Sequence, residues 1–154
     1  MKIKTVITTA LFLFVVVSMA YLVGRETGLL SPLPSPAEVA AEAGRVVYYF
    51  HGNRRCMTCR RIEAYTATAL QSGFAQQLDD GRLAWRVVNV DEPANAHFIE
   101  DFELVTRSVV LAEYVDGECV RWRNLPDVWD LVGDEGEFIG YVQDETRAFL
   151  EAGE

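Results

Sequence analysis

The chain has 154 residues, of which 50% are hydrophobic and 24% are charged. This is enough to form one domain of ordinary size with its own core. The formal net charge of −9 argues against nucleic acid as a partner, because binding to phosphates needs a basic surface.

The N-terminal segment has the pattern of a membrane anchor. Lys2 and Lys4 precede an uncharged apolar run over residues 5–24, and about 18–20 apolar residues can cross a bilayer as a helix. The two lysines predict a cytoplasmic N-terminus in a single-pass inner-membrane protein, with the remainder on the periplasmic or extracellular side. A cleaved signal peptide is the alternative, because Ser18-Met19-Ala20 resembles a cleavage site. We favour the anchor, residues 1–24, because the apolar run continues past that site.

Residues 25–44 form a predicted proline-rich linker, and residues 45–151 form the predicted folded domain. On the far side of the membrane, disulfides persist once formed.

The domain begins with a strand that leads into two cysteines. Val46–Phe50 is a short β-rich run of strand length, and turn residues follow it. Cys56 and Cys59 then open a helix at C-x-x-C spacing, with Cys56 at its N-terminal end. Backbone N–H groups and the helix dipole stabilise a thiolate at that position.

A stabilised thiolate suits disulfide exchange, in which Cys56 attacks a partner disulfide and Cys59 resolves the mixed disulfide. Arg54 and Arg55 before the pair, and Arg60 and Arg61 after it, add positive potential. A structural disulfide and metal or metalloid binding are the alternatives. A zinc site would need four ligands, and no second C-x-x-C is present.

The remaining elements follow in the order that an α/β sheet requires. The first helix runs to a stop at Asp79-Asp80-Gly81, and Leu83–Val90 predicts a central parallel strand. A second helix is predicted from Asp91, with an apolar face of Ala94, Phe98, Ile99 and Phe102. His97 is expected in a solvated or edge position beside that face.

The last elements are a hairpin and a helical region. Val109–Val115 predicts a third strand, and Asp116-Gly117 predicts a hairpin turn. Glu118–Arg123 then forms an antiparallel edge strand. A helical region follows, in which Asp134 and Glu137 have capping-box spacing. The fold class is therefore α/β, with the order β-α-β-α-β-β-α and a four-stranded mixed sheet flanked by helices.

This order, with C-x-x-C at the first strand-to-helix turn, resembles the core of the thioredoxin fold. The resemblance implies that Cys56 is the nucleophilic cysteine and Cys59 the resolving one. More narrowly, the run from Phe50 to Arg60 resembles a small bacterial family described as a subunit of a nitrophenyl-compound nitroreductase and associated with arsenic-resistance genes.

The sequence departs from thioredoxins at three points. Met57-Thr58 stands between the cysteines in place of Gly-Pro, so the redox potential does not carry over. Ser108 stands where the family has a cis-proline, and a trans Arg107–Ser108 bond is expected because a non-proline cis bond costs about 3–4 kcal/mol. The first strand carries no buried acid, which leaves His51 as the nearest candidate for proton transfer.

The leading hypothesis is therefore a membrane-tethered thiol–disulfide oxidoreductase that exchanges electrons with a partner protein. Cys56 and Cys59 are the expected catalytic residues, supported by Arg55, Arg60, His51 and Ser108. No organic cofactor is expected, because no glycine-rich phosphate loop is present.

The alternatives are a soft metal or metalloid site for arsenite or Cu(I), formed by Cys56, Cys59 and a third ligand that is either Cys119 or His51, and a redox-inert accessory subunit. Cys119 is otherwise expected to be a small buried hydrophobic residue, with a free thiol that can cross-link chains as the alternative.

Overall fold

A computed structural model describes residues 7–8, 11–15, 18–19 and 44–153 of the chain. The described residues before 20 are helical, and most of the predicted anchor and nearly all of the predicted linker lie outside the described residues. Among the residues that are described, no helix has both the length and the apolar character needed to cross a membrane.

The described domain follows the predicted order of elements. The strands are β1 (Arg45–His51), β2 (Ala84–Asn89), β3 (Ser108–Val115) and β4 (Glu118–Asn124). The helices are α1 (Met57–Gly73), α2 (Ala75–Asp79), α3 (Phe98–Asp101), α4 (Val128–Leu131) and α5 (Glu135–Glu151), with a 3-10 turn at Pro93–Asn95.

The four strands form one mixed sheet in the order β2-β1-β3-β4. β1 pairs in parallel with β2, so that Phe50 lies opposite Val88. β1 pairs antiparallel with β3, and β3 pairs antiparallel with β4. The predicted α/β class and four-stranded mixed sheet are confirmed.

β1 lies at the centre of the sheet and is buried on both faces. Val47 and Tyr49 point into a core that they share with α1 and α5. Val46, Tyr48 and Phe50 point into a second core, which Phe98 and Phe102 cover. Because period-2 alternation sends neighbouring residues to opposite faces, a strand between two cores is apolar at every position.

Two predictions from local sequence, the hairpin turn at Asp116-Gly117 and the helix cap at Asp134, are confirmed. Asp116 and Gly117 both have positive φ, of 53° and 82°, as a two-residue hairpin turn between twisted strands requires. The carboxylate of Asp134 accepts a 3.0 Å hydrogen bond from the Glu137 N–H and caps α5.

Three expectations were wrong in detail. β2 is an edge strand of the described sheet and not a central one, and Val87 is 40% exposed. The first helix is interrupted at Phe74, whose φ of −138° leaves the helical region. Ala94 and Ile99 are exposed, because a 3-10 turn and a single α-turn replace the continuous helix that would have aligned them with Phe98.

Candidate active site at the disulfide

Cys56 and Cys59 form a disulfide at the start of α1, with their Cα atoms 5.1 Å apart. Cys56 is the N-cap residue, and its sulfur accepts a 3.1 Å hydrogen bond from the Cys59 N–H. Cys56 is exposed, whereas Cys59 is 2% exposed. The two sulfurs therefore differ in access, and a second thiol can approach the Cys56 sulfur.

The loop between β1 and α1 is tied to the end of β2. The Asn53 N–H donates a 2.7 Å hydrogen bond to Asp91 Oδ2, and Asn89 Nδ2 donates one of 2.8 Å to Asn53 Oδ1. A Cβ on Gly52 would lie 2.7 Å from that same Asp91 oxygen, so a larger residue would displace the carboxylate that holds the loop. These contacts fix the loop that presents Cys56.

Tyr49 connects β1 directly to the disulfide. Its buried hydroxyl donates a 2.8 Å hydrogen bond to the backbone carbonyl oxygen of Cys59. Burial raises the pKa of the Tyr49 hydroxyl, and the positive charges of Arg55 and Arg107 oppose that rise. Tyr49 therefore stays a neutral hydrogen-bond donor beneath the cysteine pair.

The side chain of Arg55 joins the loop to the second turn of α1. It forms an ion pair with Glu63, and its Nη1 lies 3.3 Å from His51 Nε2. His51 Nδ1 lies 3.0 Å from the Gly52 carbonyl oxygen. With a proton on Nδ1, the ring donates to the Gly52 carbonyl oxygen and accepts from Arg55 on Nε2.

A groove of about 460 Å³ lies beside the disulfide. Arg54, Arg55, Arg107 and Trp129 line it together with the two cysteines. The Trp129 indole N–H donates a 2.9 Å hydrogen bond to the Arg107 carbonyl oxygen, and the Arg107 guanidinium lies 3.4 Å from the Arg54 carbonyl oxygen. The loop before β3 and helix α4 thus both contribute to the surface around Cys56.

Comparison with known structures finds matches of low sequence similarity, and two of them are malarial proteins. One is the oxidised thioredoxin of Plasmodium falciparum, solved in solution, at 14% identity and a TM-score of 0.42 over 67% of this chain and 88% of that one. The other is described only as a malarial protein, at 13% identity and a TM-score of 0.35 over 53% of this chain and 80% of that one. No family model matches the chain, and no curated protein matches it.

The strand order, the antiparallel β3–β4 pair and the disulfide at the β1-to-α1 turn decide the fold. The chain has a thioredoxin-like fold. Because both TM-scores are low, the assignment depends on these features of the chain itself. The comparisons contain nothing that bears on a nitroreductase or on arsenic.

In this chain the Arg107–Ser108 peptide bond is trans, at the position where thioredoxins have a cis-proline. No peptide bond among the described residues is cis, so the trans Arg107–Ser108 bond is confirmed. Ser108 is 3% exposed, lies opposite Phe50 on β1, and donates a 3.0 Å hydrogen bond to the Thr106 carbonyl oxygen. Its neighbour Arg107, and not Ser108, lines the groove beside the disulfide.

The other predicted supporting residues lie on different sides of the cysteine pair. Arg60 is exposed and lines a separate groove with Arg55, Glu63 and Trp85. His51 is brought next to Arg55 at the end of β1. Sequence reasoning missed Tyr49, Glu63, Arg107 and Trp129 as site residues. Of the three tryptophans, the structure places Trp129 beside the cysteines.

Cys119 corrects two expectations. It is exposed and has no disulfide partner, so it is not a buried hydrophobic residue. It lies opposite Tyr114 on β3, at the end of the sheet where β1 begins, whereas Cys56 follows the end of β1. The structure therefore does not bring Cys119 together with Cys56 and Cys59, and residues 7–8, 11–15, 18–19 and 44–153 contain no group of three or more metal-ligating side chains.

The position of Cys119 follows from an irregularity in β4. Glu113 lies opposite Arg121 and Tyr114 lies opposite Cys119, so Val120 is an extra residue in β4. The extra residue shifts the alternation of side chains, so that Cys119 pairs with Tyr114 and not with Val115. It places Cys119 on the same face as Tyr114, in a pocket that also contains His97. His97 is exposed, as expected, and its Nδ1 lies 2.7 Å from Asp101 Oδ2.

Proposed function

We propose that the domain is a thiol–disulfide oxidoreductase that exchanges electrons with a partner protein through Cys56 and Cys59. The observation that carries the proposal is the contrast between the two sulfurs. Cys56 is exposed at the N-cap of α1, and the disulfide joins it to Cys59, which is buried. A structural disulfide does not require one exposed sulfur beside a groove.

The exchange proceeds in two steps that transfer two electrons. In the reduced protein, the Cys56 thiolate attacks a partner disulfide, forms a mixed disulfide and releases one partner thiolate. The Cys59 thiolate then attacks the Cys56 sulfur, releases the second partner thiolate and restores the Cys56–Cys59 bond. In the opposite direction, a partner thiolate attacks the exposed Cys56 sulfur and the Cys59 thiolate leaves.

The surroundings of Cys56 support a stabilised thiolate. The Cys59 N–H already donates to the Cys56 sulfur in the disulfide form. Arg54, Arg55 and Arg107 line the same groove. We expect the Cys56 thiol in the reduced protein to have a pKa below the ordinary value of about 8.5. A stabilised thiolate favours the reduced form, which makes the disulfide easier to reduce.

The proposal includes a membrane tether through residues 5–24, with the domain on the periplasmic or extracellular side. Lys2 and Lys4 before the apolar run support this orientation. Fusion of a periplasm-dependent reporter to the C-terminus tests the side of the membrane. N-terminal sequencing of the mature protein tests cleavage near Ser18-Met19-Ala20, and a reporter that is active only in the cytoplasm would contradict the orientation.

The central test is a mixed-disulfide trap in a Cys119→Ser background. Cys59→Ala lacks the resolving thiol, so the full-length protein should retain its partner covalently at Cys56. The matched control is Cys56→Ala, which leaves the buried Cys59 thiol and should retain little. Equal trapping by both variants would contradict the assigned roles.

A redox titration complements the trap. The reduction potential of the pair should lie well above that of a structural disulfide, which is typically below about −300 mV. A potential in that low range, or an unreactive Cys56 near neutral pH, would contradict the proposal. Stoichiometric soft metal in protein purified under reducing conditions, lost in Cys59→Ser, would favour the metal or metalloid alternative.

A further inference from the structure

The arginines of this acidic protein fall into two main groups. Most of the arginines that lie far from the disulfide form an ion pair with a carboxylate within 4 Å. These are Arg45, Arg82, Arg121, Arg123 and Arg147. In the described part of the chain, Arg54, Arg60, Arg61 and Arg107 form no ion pair, and Arg55 pairs with Glu63. Arg86 is the exception among the remote arginines, because it donates to a backbone carbonyl oxygen instead. The arginines that lack a carboxylate partner therefore lie mainly around the cysteines, although the formal net charge of the chain is −9.

The groove beside the disulfide concentrates this charge. Three of its six lining residues are Arg54, Arg55 and Arg107, and no carboxylate lines it. Glu63, which neutralises Arg55, lies in the separate groove on the other side of that arginine. Arg54 and Arg107 therefore face the groove without a counterion from the described residues.

The fold holds the Arg107 cation in place. The Arg107 backbone is fixed by the Trp129 indole, and its guanidinium lies against the Arg54 carbonyl oxygen. Preorganised guanidinium groups bind carboxylates with two parallel hydrogen bonds, and less side-chain entropy is lost on binding. Arginine and tryptophan are also the residues that dominate binding energy at protein interfaces. A groove of about 460 Å³ lies within the size range of ligand sites, ~300–1,000 Å³.

We propose that this groove selects partner segments that carry a carboxylate side chain next to the reacting cysteine. The inference rests on the proposed oxidoreductase function and names the chemistry of its partner. The acidic remainder of the chain repels such a segment, so attraction is focused at the groove and steers the partner cysteine to Cys56. The partner's carboxylate supplies the counterion that Arg54 and Arg107 lack within the domain.

The test uses the reduced full-length protein in a Cys119→Ser background and three short peptides. Each peptide carries one cysteine as a mixed disulfide with a chromophoric thiol, and the peptides differ only in the residues that flank the cysteine: aspartate, asparagine or lysine. The readout is the second-order rate constant of chromophore release. We expect the aspartate peptide to react about tenfold faster than the lysine peptide at low salt. At about 1 M salt, where the screening length is ~3 Å, the ratio should approach one.

Matched variants locate the effect in the groove. Arg107→Gln and Arg54→Gln should each reduce the aspartate-to-lysine rate ratio at least threefold. Arg86→Gln removes one positive charge from β2, outside the groove, and should leave the ratio unchanged. An equal fall in Arg86→Gln would assign the preference to net charge and overturn the inference.

Two further results separate failure of this inference from failure of the proposed function. Normal exchange with oxidised dithiothreitol, but equal rates for the three peptides, would overturn the partner chemistry and leave the oxidoreductase intact. If the protein exchanges with neither oxidised dithiothreitol nor any of the peptide disulfides, the proposed function itself is overturned. Equal slowing of all three peptides by inorganic phosphate at matched ionic strength would assign the groove to a free anion instead and overturn the inference.

Discussion

The hydroxyl of Tyr49, on the central strand, donates a 2.8 Å hydrogen bond to the backbone carbonyl oxygen of Cys59. This buried contact anchors the first turn of α1, and with it the disulfide, to the middle of the sheet. Tyr49→Phe removes only the donor. We expect the free energy of unfolding to fall by about 0.5–1.5 kcal/mol, as for the loss of an ordinary intramolecular hydrogen bond. Urea denaturation of the oxidised protein measures the change.

The control for this variant is Tyr65→Phe. Tyr65 packs edge-on against Phe138 with ring centroids 5.6 Å apart, and its hydroxyl makes no hydrogen bond to the described residues. Its removal should change stability by less than about 0.5 kcal/mol. Equal effects of the two substitutions would show that the Tyr49 hydrogen bond is not the cause.

Trp129 lines the groove beside the disulfide and should report the redox state. A nearby disulfide quenches an excited indole by accepting an electron, so reduction should increase tryptophan emission. Most of that increase should disappear in Trp129→Phe and persist in Trp122→Phe, because Trp122 lies on the other face of the sheet against Phe102. An increase that survives in Trp129→Phe would contradict the placement of this side chain.

Cys119 should be a slow thiol despite its exposure. Partial desolvation of the sulfur, with a further contribution from the negative charge of Asp101, raises the pKa of Cys119. A raised pKa leaves less thiolate at neutral pH, so alkylation of the oxidised protein should have its midpoint above about pH 8.5.

Asp101→Asn should move that midpoint towards lower pH, because it removes a negative charge and keeps an acceptor for His97. Mass spectrometry after timed alkylation at a series of pH values measures the rate. A midpoint at or below the ordinary cysteine value would contradict the prediction.

Glu113 on β3 is connected through two arginines to the start of β1 and to the C-terminal end of α5. It accepts hydrogen bonds from Arg121 and Arg45, which themselves donate to the carbonyl oxygens of Phe149 and Gly153. Burial opposes ionisation, but the two arginines outweigh it and hold the pKa of Glu113 below its ordinary value. A lowered pKa in the folded state adds stability above the unfolded pKa of about 4.3, and this stability is lost as pH falls through the folded value.

Glu113→Gln should therefore lower the free energy of unfolding by about 1–3 kcal/mol near neutral pH. It should also reduce the loss of stability on acidification below about pH 4.3. Glu145→Gln, which breaks the exposed pair with Arg123, should cost less than about 1 kcal/mol. Denaturation curves at neutral and acidic pH compare the variants. An unchanged acid dependence in Glu113→Gln would contradict this assignment.

The sequence by itself determined the order of elements and the place of the cysteines. Strand length, the spacing from Cys56 to Cys59, the Asp116-Gly117 turn and the Asp134 cap are local signals. Each signal depends on the backbone preferences of a few adjacent residues, so it can be recognised without knowledge of the tertiary structure. The order of elements predicted the mixed sheet, and the high energy of a non-proline cis bond predicted the trans Arg107–Ser108 bond.

Only the tertiary structure decided which side chains surround the disulfide. Arg107 and Trp129 reach it from segments more than 45 residues away in the chain, and no periodicity encodes that contact. The extra residue Val120 sets Cys119 opposite Tyr114, and the hairpin turn just before it puts Cys119 at the other end of the sheet from Cys56. β2 is an edge strand because, in the described sheet, it pairs with β1 alone, and this pairing is decided by the tertiary structure. Long-range packing sets these features, since many pairings satisfy the same local pattern and only the folded chain selects one.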